Sequence, residues 1–250
     1  MSGFEVVAII AGLLGVLAGV PLGRWLRRVT YRKPDEESMA LPGSRWWVAP
    51  VLGAVFAALT WRLLAAPAAT KVGFDPGSAD GAIGAGQILA LFTFAAIAVA
   101  CVCLAAMDLD VHRLPDRVMW PTMGALIVGL FFAAASEGLW GIFGRVLVTG
   151  LVCGIGYLVI SLVSLARGSL ALGLGDVKLA MVLGAGLGWF GWQSVMVGMY
   201  GGFLVGGLVA AMLLVTGKIR LGGELAFGPP MMVGALSGAL LPPNLISSIF

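Results

Sequence analysis

Four aspartates stand at the edges of long apolar runs, where a carboxylate is costly and is a candidate for chemistry. Asp108 directly follows the apolar run 95–107, and Asp110 and Asp116 come shortly after it. Asp176 directly precedes the run 177–188. Two carboxyl groups that share one site cannot both ionise cheaply, so one of them keeps a proton. Such a pair can activate water with one group and polarise a carbonyl with the other, which is the chemistry of peptide hydrolysis.

The residues around Asp176 sharpen this interpretation. Gly173 and Gly175 precede it, and Lys178 follows. Glycine permits open backbone geometry and close approach of a neighbouring chain, so we expect these glycines to leave room for an extended substrate. Lys178 either tunes the carboxylate of Asp176 or is an ordinary basic residue at a membrane boundary.

Each of the other acidic candidates also has a structural interpretation. Asp116 follows Pro115 and is expected to cap the next helix, and Asp110 is expected to be solvated or to assist Asp108. His112, the single histidine, is expected in solvent. No metal-ligand cluster is visible, so neither a metal nor another cofactor is expected. The three cysteines, Cys101, Cys103 and Cys153, are predicted to be buried and to act as small apolar residues.

The elements that position these acids must be membrane helices. Of the 250 residues, 60% are hydrophobic and 11% charged, against about 25% charged in soluble domains. Long apolar runs, without the alternation of barrel strands, predict an all-α polytopic transmembrane bundle. Small residues in the patterns Gly150-x-x-x-Gly154 and Gly202-x-x-x-Gly206 are expected to let helices pack closely. Eight helices are predicted, at 4–22, 46–66, 87–107, 118–135, 145–165, 177–196, 198–216 and 227–246.

The basic residues predict the orientation of these helices, because Lys and Arg concentrate in cytoplasmic loops. With the N-terminus outside, only Arg62, Lys71 and Arg145 fall on the outer side. The other 12 basic residues fall on the inner side: Arg24, Arg27, Arg28, Arg32, Lys33, Arg45, Arg113, Arg117, Arg167, Lys178, Lys218 and Arg220. This explains the net charge of +3 without a nucleic-acid partner and places the four aspartates at the cytoplasmic face.

One domain, 1–250, embedded in the membrane, is the expected organisation, with a short basic cytoplasmic loop at 23–45. That loop is dense in arginine and is followed by acidic residues. It is expected to be solvated, to fix topology and to touch anionic lipid. Docking of a substrate is the alternative that the sequence leaves open.

The motifs resemble those of the type IV prepilin peptidases, which are membrane aspartic peptidases with a Gly-x-Gly-Asp motif. Their first acid lies in an Asp-x-Asp-x-x-x-Leu-Pro-Asp segment after a transmembrane helix, and residues 108–116 read DLDVHRLPD. Their second acid lies in Gly-x-Gly-Asp-x-Lys, and residues 173–178 read GLGDVK. A Phe-Gly-Pro segment that opens their last helix is matched at 227–229, and a basic stretch at 23–33 is similar to their N-terminal segment.

This resemblance implies an aspartic endopeptidase of the plasma membrane with Asp108 and Asp176 as its catalytic pair. Gly173, Gly175, Lys178, Asp110 and Asp116 would be supporting or substrate-binding residues. The implied substrates are prepilins or pseudopilins of type IV pili or protein secretion systems, which carry a short basic leader before a hydrophobic helix. In the family, cleavage after a glycine occurs at the cytoplasmic membrane surface. Larger members also carry an insert with two Cys-x-x-Cys pairs, associated with N-methylation, and segment 23–45 has no cysteine.

Three other interpretations compete with this one. A proton- or solute-coupled transporter could use Asp108 and Asp176 as its relay, but it does not explain the glycine and Leu-Pro-Asp contexts. It also predicts internal repeats, and none is visible. A Gly-x-Gly-Asp peptidase of the preflagellin or signal-peptide type is the second rival, and a catalytically idle assembly scaffold is the third.

Overall fold

A computed structural model describes residues 3–36, 41–65, 83–166, 173–217 and 226–241. Within these ranges the chain forms helices and no strands. A short 3₁₀ turn at Pro34–Glu36 and a π-helical turn at Trp61–Ala65 accompany the longer helices. The eight α-helices are α1 (Gly3–Leu26), α2 (Val48–Thr60), α3 (Ala85–Val111), α4 (Asp116–Glu137), α5 (Trp140–Ala166), α6 (Leu174–Phe190), α7 (Trp192–Val215) and α8 (Gly228–Leu240).

The all-α prediction is confirmed, and one helix corresponds to each predicted apolar run. Five helices, α1, α3, α4, α5 and α7, are long and apolar enough to cross a membrane, and Val48–Leu64 is a shorter apolar helix. The predicted break near 189–193 is present, because Gly191 alone separates α6 from α7. Its φ of +139° lies in a region that favours glycine.

Several predicted boundaries were wrong by three to six residues. α3 continues beyond 107 to Val111, and α6 spans 174–190 rather than 177–196. Hydropathy reports which residues face lipid, whereas a helix ends where its hydrogen-bond ladder ends, so polar residues can belong to the last or first turn. The predicted ends at 66 and 246 lie outside the described residues, as do Lys71, Arg167, Lys218 and Arg220.

The chain divides into two compact units, and the first comprises Met1–Val111 and Gly124–Trp140. Here α1 packs closely on α2, since a Cβ added at Gly19 would lie 2.5 Å from the Cα of Ala49. The amino-terminal end of α3 is fixed by Glu137, whose Oε1 accepts a hydrogen bond from the Gly86 N–H at 2.9 Å. A carboxylate at this end of a helix also interacts favourably with the helix dipole.

The second unit comprises His112–Met123 and Gly141–Phe250. The predicted close packing at the spaced glycines is confirmed here. A Cβ on Gly150 would lie 2.9 Å from the Cβ of Ala185, and one on Gly202 would lie 3.1 Å from the Cα of Met231. Small residues therefore bring α5 against α6 and α7 against α8. That residues 1–250 form a single domain stays a prediction.

The cysteine prediction is largely confirmed. Cys103 and Cys153 are buried, Cys101 is partly buried, and all three are free thiols. Cys153 packs against Gly184, where an added Cβ would lie 2.6 Å from the Cβ of Cys153. This cysteine therefore fills space between α5 and α6 as a small apolar residue does.

Candidate active site

Asp108 lies in the last turn of α3, three residues before the end of that helix at Val111. Only 4% of the residue is exposed. The sequence predicted that Asp108 follows its helix, whereas the hydrogen-bond ladder continues past it. A buried carboxylate at a helix end is a costly arrangement and supports a functional role. His112 comes next, exposed as predicted and with a φ of +48°.

Asp110 is not solvated, and that part of its prediction was wrong. Its side chain is 5% exposed. Arg32 donates to both carboxylate oxygens, from Nε to Oδ2 at 3.0 Å and from Nη2 to Oδ1 at 2.9 Å. Tyr31 donates its hydroxyl to Oδ2 at 2.7 Å, and Arg45 Nη2 lies 3.8 Å from Oδ1. A carboxylate in an apolar bundle needs such partners because an uncompensated buried charge is strongly unfavourable.

The basic segment after α1 is therefore not uniformly solvated. Arg27 and Arg28 are exposed, as expected of a solvated loop. The side chains of Arg32 and Arg45 are only 2% and 7% exposed, so the prediction of a solvated loop was wrong for these two. The pKa of Tyr31 is raised to about 12 because its hydroxyl is partly buried and is hydrogen-bonded to the negative charge of Asp110.

Asp176 lies in the first turn of α6, as the third helical residue after Gly173. Its Oδ2 accepts a hydrogen bond from the backbone N–H of Gly173 at 3.1 Å, and its own N–H donates to the Gly173 carbonyl at 3.0 Å. The carboxylate thus satisfies an amide at the helix start, where negative charge is favoured by the helix dipole. The residue is partly exposed.

The two glycines before Asp176 differ in their roles. Gly173 has φ −76° and ψ 156°, which any residue can adopt, so the predicted open geometry is not what requires glycine here. At Gly175 an added Cβ would lie 3.2 Å from the Cβ of Leu114. The close approach predicted for this glycine is therefore confirmed, and the neighbour is the Leu-Pro-Asp segment of the same unit.

A second contact joins the same two segments. Lys178 Nζ forms an ion pair with Asp116 Oδ1 at 2.6 Å and lies 5.8 Å from the centroid of the Trp120 ring. α4 begins at Asp116, but the first carbonyl that accepts helical hydrogen bonds is that of Pro115. The capping residue predicted at 116 is thus displaced by one position, since Asp116 is already helical. The segments 114–116 and 173–178, distant in sequence, are neighbours.

The Phe-Gly-Pro segment opens α8 as predicted. Gly228 is the first helical residue, and Pro229 follows in the first turn, where a missing N–H costs nothing. Phe227 packs on Phe203 with a ring separation of 5.5 Å, and Phe203 stacks on Tyr157 at 5.1 Å. This aromatic row joins the start of α8 to α7 and α5 inside the second unit.

The first unit thus holds Asp108 and Asp110, and the second holds the other predicted site residues: Asp116, Gly173, Gly175, Asp176 and Lys178. The pairing of Asp108 with Asp176 stays a prediction. Sequence reasoning did not single out Tyr31, Arg32 or Arg45 as partners of Asp110. The signal was available in principle, because an acid in an apolar surrounding requires nearby cations.

Among the described residues no group of three or more His, Cys, Asp or Glu side chains could hold a metal ion, and the expected lack of cofactors stays a prediction.

The match to a family model comes from the middle of the chain. Residues 95–215 match the model described as "Type IV leader peptidase family". This stretch contains Asp108, Asp176 and both motif segments around them. It confirms the resemblance to prepilin peptidases that the motifs indicated. No solved structure matches the chain at a significant level.

Curated relatives agree with this match. A "Prepilin leader peptidase/N-methyltransferase" from Burkholderia pseudomallei is 36% identical over 168 residues, 62% of this chain and 50% of the relative. Proteins of the same name from Pseudomonas putida and Stutzerimonas stutzeri are 31% and 30% identical, over 58% and 52% of this chain and 48% and 43% of their own lengths. The chain spans about half the length of the curated relatives it matches. The description of the family and the names of these relatives all refer to leader peptidases.

Proposed function

We propose that this protein is a membrane aspartic endopeptidase that removes the basic leader from type IV prepilin-like or pseudopilin substrates, with Asp108 and Asp176 as its catalytic pair. One observation carries most of the weight. A family match over residues 95–215 contains both acids, and each acid occupies a terminal turn of an apolar helix. Asp108 is also only 4% exposed. Burial of this kind is characteristic of catalytic carboxyl groups.

The proposed mechanism needs only the two carboxyl groups and water. One carboxylate takes a proton from a water molecule as it attacks the scissile carbonyl carbon, and the protonated carboxyl donates to the carbonyl oxygen. When the tetrahedral intermediate collapses, the protonated carboxyl gives its proton to the leaving amine and a hydroxyl of the intermediate returns a proton to the ionised carboxylate, so the pair returns to one proton and one charge. Because the groups titrate as a coupled pair, we assign acid and base roles to the pair and not to single residues.

We further propose that the N-terminus is outside and that cleavage occurs at the cytoplasmic face of the plasma membrane. The support is the distribution of basic residues, 12 on one side of the predicted topology and three on the other. A substrate with a hydrophobic helix would enter from the bilayer, and its basic leader would lie at the surface. The partly exposed Asp176 is accessible to such a segment. The proposal covers peptide cleavage and leaves out methyl transfer, because segment 23–45 has no cysteine.

The test is co-expression with a prepilin-type substrate that carries a basic leader, a glycine and a hydrophobic helix. Leader removal is followed by gel mobility and by mass spectrometry of the new N-terminus. We expect Asp108→Asn and Asp176→Asn each to lower processing at least about 100-fold, since each removes one member of a proton-transfer pair. Both variants should remain in the membrane at wild-type levels.

Glu5→Gln is the matched control, because it also neutralises an acid but at an exposed position on α1. It should process substrate as the wild type does. Full processing by both aspartate variants would refute the proposal, and so would loss of processing that follows only loss of protein from the membrane.

A further inference from the structure

We propose that Tyr31, Arg32 and Arg45 act as positioning residues for Asp108, by binding Asp110 and so holding the last turn of α3 in place. This inference rests on the proposed function of Asp108. It concerns only the first unit, in which all five residues lie. None of Tyr31, Arg32 and Arg45 would touch the substrate.

The end of α3 needs a restraint from outside the helix. The last carbonyls of a helix have no intrahelical partner, and terminal turns open more readily than helix interiors. Asp108 lies three residues before the end of α3, and directly after that end His112 turns the chain with a φ of +48°. The carboxylate of Asp108 can be held in one place only if the last turn of α3 is held too.

Asp110 provides an anchor for the last turn of α3. Asp110 is two residues from Asp108, so on a helix of 3.6 residues per turn the two side chains project from different faces. One face can therefore be fixed while the other does chemistry. Arg32 makes a two-point contact with Asp110 through Nε and Nη2, and Tyr31 adds a third hydrogen bond. Two-point guanidinium–carboxylate contacts fix orientation as well as distance.

The residues around Asp110 form a cluster of opposite charges. Arg45 places a second guanidinium 3.8 Å from Asp110, and Glu36 is buried and acts electrostatically on Arg32. Glu36 also accepts a hydrogen bond from the Lys33 N–H at 2.9 Å, which fixes the turn after Arg32. Two cations and two anions thus meet in a buried cluster. Such clusters define one geometry strongly, because removing a single member leaves an uncompensated charge.

The alternative role for these arginines is docking of a substrate or of lipid. The side chains of Arg32 and Arg45 are 2% and 7% exposed, so neither can bind a ligand without leaving Asp110. Arg27 and Arg28, in the same segment, are exposed and so lie outside this buried cluster. The segment after α1 therefore divides into an exposed basic part and a buried part that positions α3.

The test compares Arg32→Lys with Arg28→Lys in purified full-length protein in proteoliposomes, with a synthetic leader substrate. Lysine keeps the charge but loses the planar two-point contact. We expect Arg32→Lys to lower kcat about 10- to 100-fold with KM within twofold of wild type, as expected for misplacement of a catalytic group by about 1 Å. Arg28→Lys should change neither parameter. Arg32→Lys combined with Asp110→Asn should lose no more than the worse single variant, because both break one contact.

A second measurement tests whether the contacts of Asp110 hold the last turn of α3, and it does not depend on cleavage. Hydrogen–deuterium exchange of peptides covering 106–112 should be faster in Arg32→Lys and in the milder Tyr31→Phe, with exchange elsewhere unchanged. A raised KM with unchanged kcat, unchanged exchange at 106–112, or losses that track only the folded fraction would each overturn the inference. Failure of the wild type to cleave any leader would instead count against the proposed function, and the exchange result would still decide whether the anchor exists.

Discussion

Replacement of Gly234 by alanine is expected to destabilise the second unit strongly, because α7 and α8 meet there through glycine alone. An added Cβ on Gly234 would lie 2.6 Å from the Gly198 carbonyl oxygen and 2.6 Å from the Cα of Gly202, and it would overlap the Gly202 nitrogen. Carbon atoms in contact prefer about 3.5–4.0 Å, so α8 would have to move by roughly 1 Å. Backbone atoms cannot rotate away as a side chain can.

The magnitude follows from two opposing terms. Forcing extra volume into a packed interface costs about 1–3 kcal/mol, and occasionally more. Alanine in place of glycine within a helix returns up to about 1 kcal/mol. Gly207, on α7, has no atom within 4 Å of its added Cβ, so Gly207→Ala carries only the favourable term. Because both variants gain the alanine term, they should differ by the packing cost alone, about 1–3 kcal/mol in free energy of unfolding, or roughly 2–12 °C in melting temperature.

The assay is thermal unfolding of both variants in one detergent, followed by circular dichroism. Wild type should melt slightly below or level with Gly207→Ala, and Gly234→Ala should melt well below both. Leader cleavage should fall with the folded fraction of Gly234→Ala and stay at the wild-type level in Gly207→Ala. Equal melting temperatures for the two alanine variants would refute the reasoning, since they would mean that α7 and α8 are not packed backbone to backbone.

Three further predictions concern the neighbourhood of the acids. Gly175→Ala should lower cleavage more than Gly173→Ala, because only the first adds a Cβ at 3.2 Å from Leu114; equal activities in the leader assay would contradict this. Lys178→Gln should cost less than about 1 kcal/mol in unfolding free energy, since its ion pair with Asp116 is exposed at 31% and 60%, and added salt should shrink the difference from wild type. The raised pKa of Tyr31, about 12 against an ordinary 10, means that its contribution to stability is complete below pH 10 and lost between pH 10 and 12. Between pH 10 and 12 the free energy of unfolding of the wild type should therefore fall more steeply with pH than that of Tyr31→Phe. Parallel curves of unfolding free energy against pH would argue against the hydrogen bond to Asp110.

Much of the fold could be predicted from hydropathy, because in lipid the backbone has few alternatives to the helix. Each predicted apolar run has its helix, and the break at Gly191 was visible as a polar and aromatic interruption. The ends could not be predicted as well. Asp108 and Asp176 lie within helical turns, although the apolar pattern stops beside them, because helical hydrogen bonding does not depend on side-chain polarity.

For the candidate site, sequence motifs identified the segments but not their contacts. The closeness of Gly175 to Leu114 and the ion pair of Lys178 with Asp116 join residues about 60 positions apart. The partners of Asp110 were harder to predict. Six basic residues lie between positions 24 and 45, from the last turn of α1 onward, and composition cannot say which two are buried. Only the fold selects Arg32 and Arg45 from that set.

The single residue between α6 and α7 has a consequence for how the protein can vary. Asp176 is separated from Gly191 by a continuous stretch of helix, in which each inserted or deleted residue rotates what precedes it by about 100° and shifts it by about 1.5 Å. With one residue at the junction, no loop is present to absorb such a change. Length in the stretch 176–191 is therefore constrained as tightly as residue identity, and an alignment of functional homologues should show substitutions there but no gaps.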